Sequence, residues 1–287
     1  MKQYPKVFIV ILNYNGRETL KKCLLSIFKN DYPNFEIVLV DNNSTDGSFE
    51  IAKTNFSKAH LIKNKENFGF AAGNNVGIRF ALERMADFVL LLSNDAEAEK
   101  DFLSRLISAA EKNNKAGIFS PLIFSMDSRQ IQFSKGKISW FRTKAFREKK
   151  IKTEDGWETD FATGSAMLIK KEVFKKAGLL DEDYFLFWAD IDFSLRALRA
   201  GFENMVVASS WIYRQKKSKI SQESDVYWEA ISRRVFFKKN TRIFLAPWVK
   251  IYLALEGIKN FMESLNSKNE VATIIKKARR DFNIAKF

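Results

Sequence analysis

"VFIVILNYNG", residues 7–16, opens with six apolar residues in a row and stops abruptly on Asn13, Tyr14, Asn15 and Gly16. An amphipathic helix or a half-exposed strand would interleave polar positions. An unbroken apolar run suits a parallel strand covered on both faces. The polar stop then marks the carboxyl end of that strand, where open α/β sheets bind their ligands. The same two-part pattern recurs: "FEIVLVDN" (35–42) runs into "NSTDGS", and "DFVLLLSND" (87–95) runs into "AEAE". Helical patterns over 17–29, 47–56, about 70–85 and 101–113, with strands "AHLIKN" (59–64) and "GIFSPLIFS" (117–125), complete the first part. Strand–helix alternation with short loops implies right-handed crossovers and a mostly parallel sheet with helices on both faces.

The remainder follows a different pattern. Residues 135–156 are polar and basic and suit a hairpin or a mobile loop. "FATGSAMLIKKEVFKKAG" (161–178) gives a strand, a helix and a glycine stop, and "NMVVASSWIY" (204–213) a further strand. Helical patterning takes over from about Asp225, with the basic amphipathic stretch 241–265, in which Pro247 is expected to begin a helix. This suggests an α/β domain over 1–225, with halves at 1–125 and 126–225, and a basic helical extension over 226–287.

Composition removes several classes of function. Hydrophobic residues make up 46% of the 287, with 27 Phe, which excludes a disordered chain. One cysteine, Cys23, allows no intramolecular disulfide and suits a reducing compartment. One histidine, His60, argues against a histidine zinc site or a serine triad and is expected to be incidental on its short strand. The N-terminal apolar run is too interrupted for a signal peptide, and no stretch approaches the ~18 apolar residues of a membrane span. Net charge is +14, and residues 211–287 hold 17 Lys and Arg against 7 Asp and Glu. Such a balance favours anionic partners, a membrane surface among them. No nucleic-acid-binding module accompanies it.

Four polar clusters fall at one sheet edge: 13–16, 41–48, 94–99 and the small-residue start of a helix, "NFGFAAGNN" (67–75). A helix start of that kind lets backbone N–H groups approach a phosphate. Further along, "FLFWADIDFSLRALRAG" (185–201) carries Asp190 and Asp192. Asp190 stands where an N-cap is expected, and Asp192 is four residues from Arg196, the spacing of an ion pair. Phe187 and Trp188 fit either an acceptor platform or core packing.

These stretches, together with "GSAMLIKKEVFKKAGLLDEDYF" (164–185), resemble in order and spacing the family 2 glycosyltransferases, in particular the branch that includes bacterial rhamnosyltransferases. The resemblance covers about residues 6–240. It implies a GT-A fold and inverting transfer of a sugar from a UDP- or dTDP-sugar to a hydroxyl of a lipid-linked or polysaccharide acceptor. Carried over by motif, Asp41 would contact the nucleobase beside the Asn13, Tyr14, Asn15 turn. Asn67, Gly69, Gly73, Asn74, Asn94 and Gly164 would line the nucleotide-sugar site. Asp95 would hold Mg²⁺ or Mn²⁺ on the diphosphate, with Glu97 a weaker second candidate, and Asp190 would be the general base. The implied setting is the cytoplasm, peripheral on the inner membrane face, with a homo-oligomer open.

Two positions depart from the family pattern. Ala189 stands where the family has Glu before its base, and Arg214 stands where relatives carry a metal-ligating His. A guanidinium cannot ligate a cation, but it can clamp phosphate oxygens bidentately. Weak metal dependence is the expectation, with Arg214 serving the nucleotide diphosphate. Two competitors are an Arg214 that faces solvent with Lys216 and Lys217, and a non-catalytic homologue that binds sugar nucleotide or glycan.

Overall fold

The computed structural model describes residues 4–215, 222–264 and 270–284. In chain order the first part comprises β1 (Val7–Asn13), α1 (Leu20–Phe28), β2 (Phe35–Asp41), α2 (Ser48–Asn55), β3 (His60–Lys63), α3 (Gly69–Glu83), β4 (Phe88–Ser93), β5 (Ala96–Ala98), α4 (Phe102–Lys112) and β6 (Ala116–Ser125). Next come β7 (Ile131–Phe133), β8 (Lys135–Ser139), β9 (Lys144–Glu148), β10 (Gly156–Glu158), β11 (Ala166–Lys170), α5 (Lys171–Ala177), α6 (Ala189–Arg199) and β12 (Glu203–Arg214). Three helices follow: α7 (Gln222–Asn240), α8 (Ala246–Ser264) and α9 (Glu270–Ile284).

The main sheet runs β10-β12-β6-β11-β4-β1-β2-β3. Residues 7–11 of β1 are fully buried, because β1 is central and pairs in parallel with β2 and β4. Continuous apolar sequence is what such a position demands. The register sets Asn13 beside Asp41 and Leu12 beside Ser93, so the polar stops of three strands meet at one edge. β11 enters antiparallel between β4 and β6, while β12 runs parallel to β6. The architecture is the expected α/β sheet, mostly parallel.

His60, on the outer strand β3, has its Nε2 2.7 Å from Glu36 Oε2. The basic stretch from residue 135 is a hairpin: β8 and β9 form their own two-stranded sheet.

Two expectations need correction or refinement. Asp190 is not an N-cap: α6 begins at Ala189, and the capping position is Trp188. The reason is local backbone, since Phe187 and Trp188 both adopt left-handed φ of 63°, and helical geometry begins only after them. Bulky residues rarely hold that conformation, so surrounding contacts must impose it.

Those contacts come from α7, which shares its core with the α/β body. Phe236 and Phe237 are buried and pack on Trp188 and Trp140. Ser232 Oγ donates to the Leu186 carbonyl, and Asn240 Nδ2 donates to Asp192. A boundary at residue 225 therefore cuts through one packed unit. Phe236→Ala should destabilise the protein by about 3–5 kcal/mol in chemical denaturation, the cost of a large aromatic truncated in a core. If α7 were a detachable appendage, the main unfolding transition would not move.

Candidate active site

The polar edge is a closed network. Asn13 Nδ2 lies within donating distance of Asp41 Oδ1 (2.9 Å), Ser44 Oγ (3.1 Å) and Ser48 Oγ (2.8 Å), and Asn13 Oδ1 accepts from Asn94 Nδ2 (2.8 Å). The Asp41 carboxylate also accepts from Ser44 N and Ser44 Oγ. Buried groups of this polarity are tolerable only when each finds a partner, and a satisfied set is rigid. Asn13 and Asp41 are both fully buried, so they order the loops after β1 and β2 in place of facing an open cleft. Asn15, at φ 51°, joins the network through its backbone N–H to Ser44 and its Oδ1 to Thr45 N. Tyr14, half exposed, and Asn15 are the exposed residues of this turn.

The start of α3 is similarly committed. Asn67 Oδ1 accepts from Gly69 N at 2.9 Å and Asn42 Nδ2 at 3.1 Å, and Asn74 donates to the Phe70 carbonyl. Gly69 has φ +77°, and a Cβ there would come within 2.3 Å of the Phe185 carbonyl oxygen. Gly73 abuts Leu12 and Asn42, where a Cβ would be 2.6 Å from a Leu12 methyl. Gly73 thus seats α3 against the sheet, and packing explains it without a ligand.

Beside this edge lies a cleft of about 470 Å³, lined by Asp190, Gly164, Arg214, Phe187, Arg147 and Lys149 among others. Asp190 Oδ2 accepts from Gly164 N at 2.8 Å and Oδ1 from Ile191 N at 2.9 Å, which fixes the carboxylate within the first turn of α6. Of the two aromatics before it, Phe187 faces the cleft and Trp188 is buried core. Asp192 is structural: it binds Arg196 Nε at 2.7 Å and Asn240 Nδ2 at 2.8 Å.

Arg214 does not face solvent. Its Nε and Nη2 donate to the two oxygens of Asp95 at 2.9 and 2.8 Å, and Nη1 donates to Ser165 Oγ. Lys216 and Lys217 lie outside the described residues. The antiparallel ladder of β5 on β12 sets the contact by placing Arg214 opposite Ala96, the residue after Asp95. Burial alone would raise the Asp95 carboxyl, but the guanidinium charge and its hydrogen bonds outweigh that and hold it below the ordinary carboxylate range.

Both Asp95 oxygens are therefore engaged. Among the described residues, no group of three or more His, Cys, Asp or Glu side chains is arranged to hold a metal ion. Glu97 sits opposite Tyr213 in the ladder. This donor set does not fit a divalent cation held at Asp95 unless the guanidinium leaves.

One residue that sequence reasoning missed is Glu229, on α7. Its Oε1 accepts from Trp188 Nε1 at 2.7 Å, and it shares a cavity with Asp190. Burial lifts its carboxyl above the usual range, Asp190 adding a smaller push, against the Trp188 N–H and the Arg233 and Arg147 cations. Glu229 lies 40 residues after Ala189, where no local motif could announce it.

Because Asp95 is held low by its partner, the pair contributes fully above the ordinary carboxylate value near 4 and is lost as pH falls through the lower folded value. Arg214→Met, which strands a largely buried carboxylate, should cost on the order of 3 kcal/mol at pH 7. Urea melts should show this deficit shrinking steadily below about pH 4; a pH-independent deficit would mean that lost packing is the cause.

The model of the family described as "Glycosyl transferase family 2" matches residues 8–178. The dTDP-rhamnosyl transferase RfbF of Shigella flexneri is 28% identical over 197 residues, covering 68% of this chain and 64% of that protein. The hexosyltransferase Agl10 of Haloferax volcanii, of low-salt glycan biosynthesis, is 30% identical over 202 residues, covering 67% and 61%. The chain thus spans somewhat less than two thirds of the length of these two relatives. The N-acetylglucosaminyl-diphospho-decaprenol L-rhamnosyltransferase of Mycobacterium tuberculosis is 24% identical over 266 residues, 83% of each chain. In fold the chain is similar to the mannosyltransferase PcManGT of Pyrobaculum calidifontis, solved with GDP-Man and Mn²⁺, with a TM-score of 0.63 at 15% identity over 99% of this chain and 89% of that one. It is also similar to GalNAc-T7, solved with UDP, GalNAc and Mn²⁺, with a TM-score of 0.67 at 18% identity over 99% and 55%. The fold is GT-A, and with the family model covering more than half of its length, this chain belongs to glycosyltransferase family 2.

Proposed function

We propose that the protein transfers a sugar, with inversion, from a UDP- or dTDP-sugar to a hydroxyl of a glycan or lipid-linked acceptor. The observation that carries this is the cleft itself, which Asp190 and Arg214 both line. The acceptor oxygen attacks the anomeric carbon while its proton passes to Asp190 and the bond to the diphosphate oxygen breaks, leaving the electron pair on the diphosphate. A positioned carboxylate base and a cationic group at the leaving oxygens are the two requirements of such a step. Arg214 supplies the second. Its guanidinium, already oriented by Asp95 and Ser165, takes the developing charge, and cation dependence is weak as a result.

Each supporting group has its place in this reading. Gly164 N–H and the first turn of α6 aim Asp190. The Asn13–Asp41 network orders the loops beneath the nucleoside, and Tyr14 offers an exposed ring for the base. The rhamnosyltransferase names among the relatives support a deoxyhexose donor linked to dTDP. A second reading, a homologue that binds sugar nucleotide without transfer, is favoured only by Ala189 and the Asp95–Arg214 pair.

Turnover of a panel of UDP- and dTDP-sugars, followed by nucleoside diphosphate release in the presence of candidate acceptors, separates the two. Asp190→Asn should lower kcat by about 10²–10⁴-fold while leaving nucleotide binding intact, as expected for a lost general base. Turnover that survives Asp190→Asn would remove Asp190 from the chemistry, and nucleotide binding without any turnover would favour the second reading.

A further inference from the structure

Helix α8 is apolar on both sides. One side packs on α9: Val249 and Gly257 are buried, and a Cβ on Gly257 would collide with the Arg279 guanidinium. The other side is bare. Trp248, Ile251, Leu255, Ile258 and Met262 are all exposed, and their alternating spacings of three and four put them on one face. Ile251, Leu255 and Ile258 are 55%, 60% and 54% exposed. The stripe continues onto the β8–β9 hairpin, whose tip residue Phe141 is 64% exposed and accepts a hydrogen bond through its carbonyl from Trp248 Nε1. A continuous apolar face of this extent marks an interaction surface.

The rim of that face is cationic. Arg142 and Lys144 on the hairpin, and Arg242 and Lys250 beside the stripe, are exposed. The two acidic residues described on α8 are neutralised: Glu256 by Arg233, and Glu263 by Lys259 at 3.8 Å. A second copy seated on this face by a two-fold axis would bring the same basic rim against itself, a like-charge juxtaposition that costs affinity. An anionic bilayer complements it. Among the described residues no helix is long and apolar enough to cross a membrane, so the arrangement is that of a helix lying in the interface plane.

We propose that the bare face of α8 and the hairpin tip dock the protein on an anionic lipid bilayer. The consequence for catalysis rests on the transferase reading above. The hairpin that touches α8 through Phe141 also lends Arg147 and Lys149 to the cleft of Asp190. An acceptor whose phosphate-linked lipid tail stays in the bilayer would meet those two cations at the cleft mouth.

The test is co-sedimentation of the full chain with phosphatidylglycerol–phosphatidylcholine vesicles and with phosphatidylcholine alone, at low and moderate salt. Binding is expected to anionic vesicles, to weaken as salt rises, and to fall at least about tenfold in the double variant Ile251→Glu/Leu255→Glu. Those side chains are exposed, so circular dichroism and melting should match the wild type. Absence of binding to anionic vesicles, or binding indifferent to the double variant, overturns the proposal. A dimer seen by light scattering that this variant dissolves would also overturn it, in favour of a second copy. UDP and dTDP binding, measured on the same preparations and expected to be unchanged by the variant, reports separately on the transferase reading.

Discussion

The guanidinium of Arg214 on the carboxylate of Asp95 is the contact around which the site is organised. Neither group could be left alone there, because each is largely buried and an unpaired charge in such a place is costly. The pair closes the β5–β12 ladder and, through Ser165, reaches the segment that leads into β11. Ser93 N–H in turn donates to the Ser165 carbonyl, tying the end of β4 to the same point. One ion pair thus fixes where three strands deliver their polar ends.

A second constraint holds Asp190. Two successive bulky residues in left-handed conformation would not persist without support, and α7 supplies it through the buried Phe236–Phe237 packing and the Trp188–Glu229 hydrogen bond. The helix appended to the sheet in sequence therefore supports the turn that presents the carboxylate. Arg199 and Asn240 add the last tie, the guanidinium donating to the Asn240 side chain and carbonyl. Cleft and α7 are thus packed as one unit.

Much of this was legible in the sequence, and the exceptions have a common cause. Fully buried parallel strands leave an unmistakable continuous apolar run, so β1, β2, β4 and β6 could be placed and their carboxyl ends identified. Asp190 and Arg214 stood out because one matched a family motif and the other broke one. What sequence could not show was partnership. Asn13 and Asp41 read as ligand contacts; that, 28 residues apart, they also share a hydrogen bond in a network completed by Ser44, Ser48 and Asn94 has no sequence signature. Arg214 and Asp95 are 119 residues apart, and only the strand register makes them a pair. The positive φ of Trp188 likewise has no sequence signature, since nothing in the residue type favours it.

In the proposed transfer Arg214, already held by Asp95, does the electrostatic work on the diphosphate. Calorimetric titration of whichever of UDP and dTDP binds, in EDTA and then in Mn²⁺, for wild type and Arg214→Ala, tests it most directly. Wild-type affinities should lie within about threefold of each other in the two conditions. In EDTA, Arg214→Ala should bind at least about tenfold more weakly, the value of a lost charged hydrogen bond. Wild-type binding that appears only with Mn²⁺, or an Arg214→Ala protein that binds as tightly in EDTA as the wild type, would contradict it.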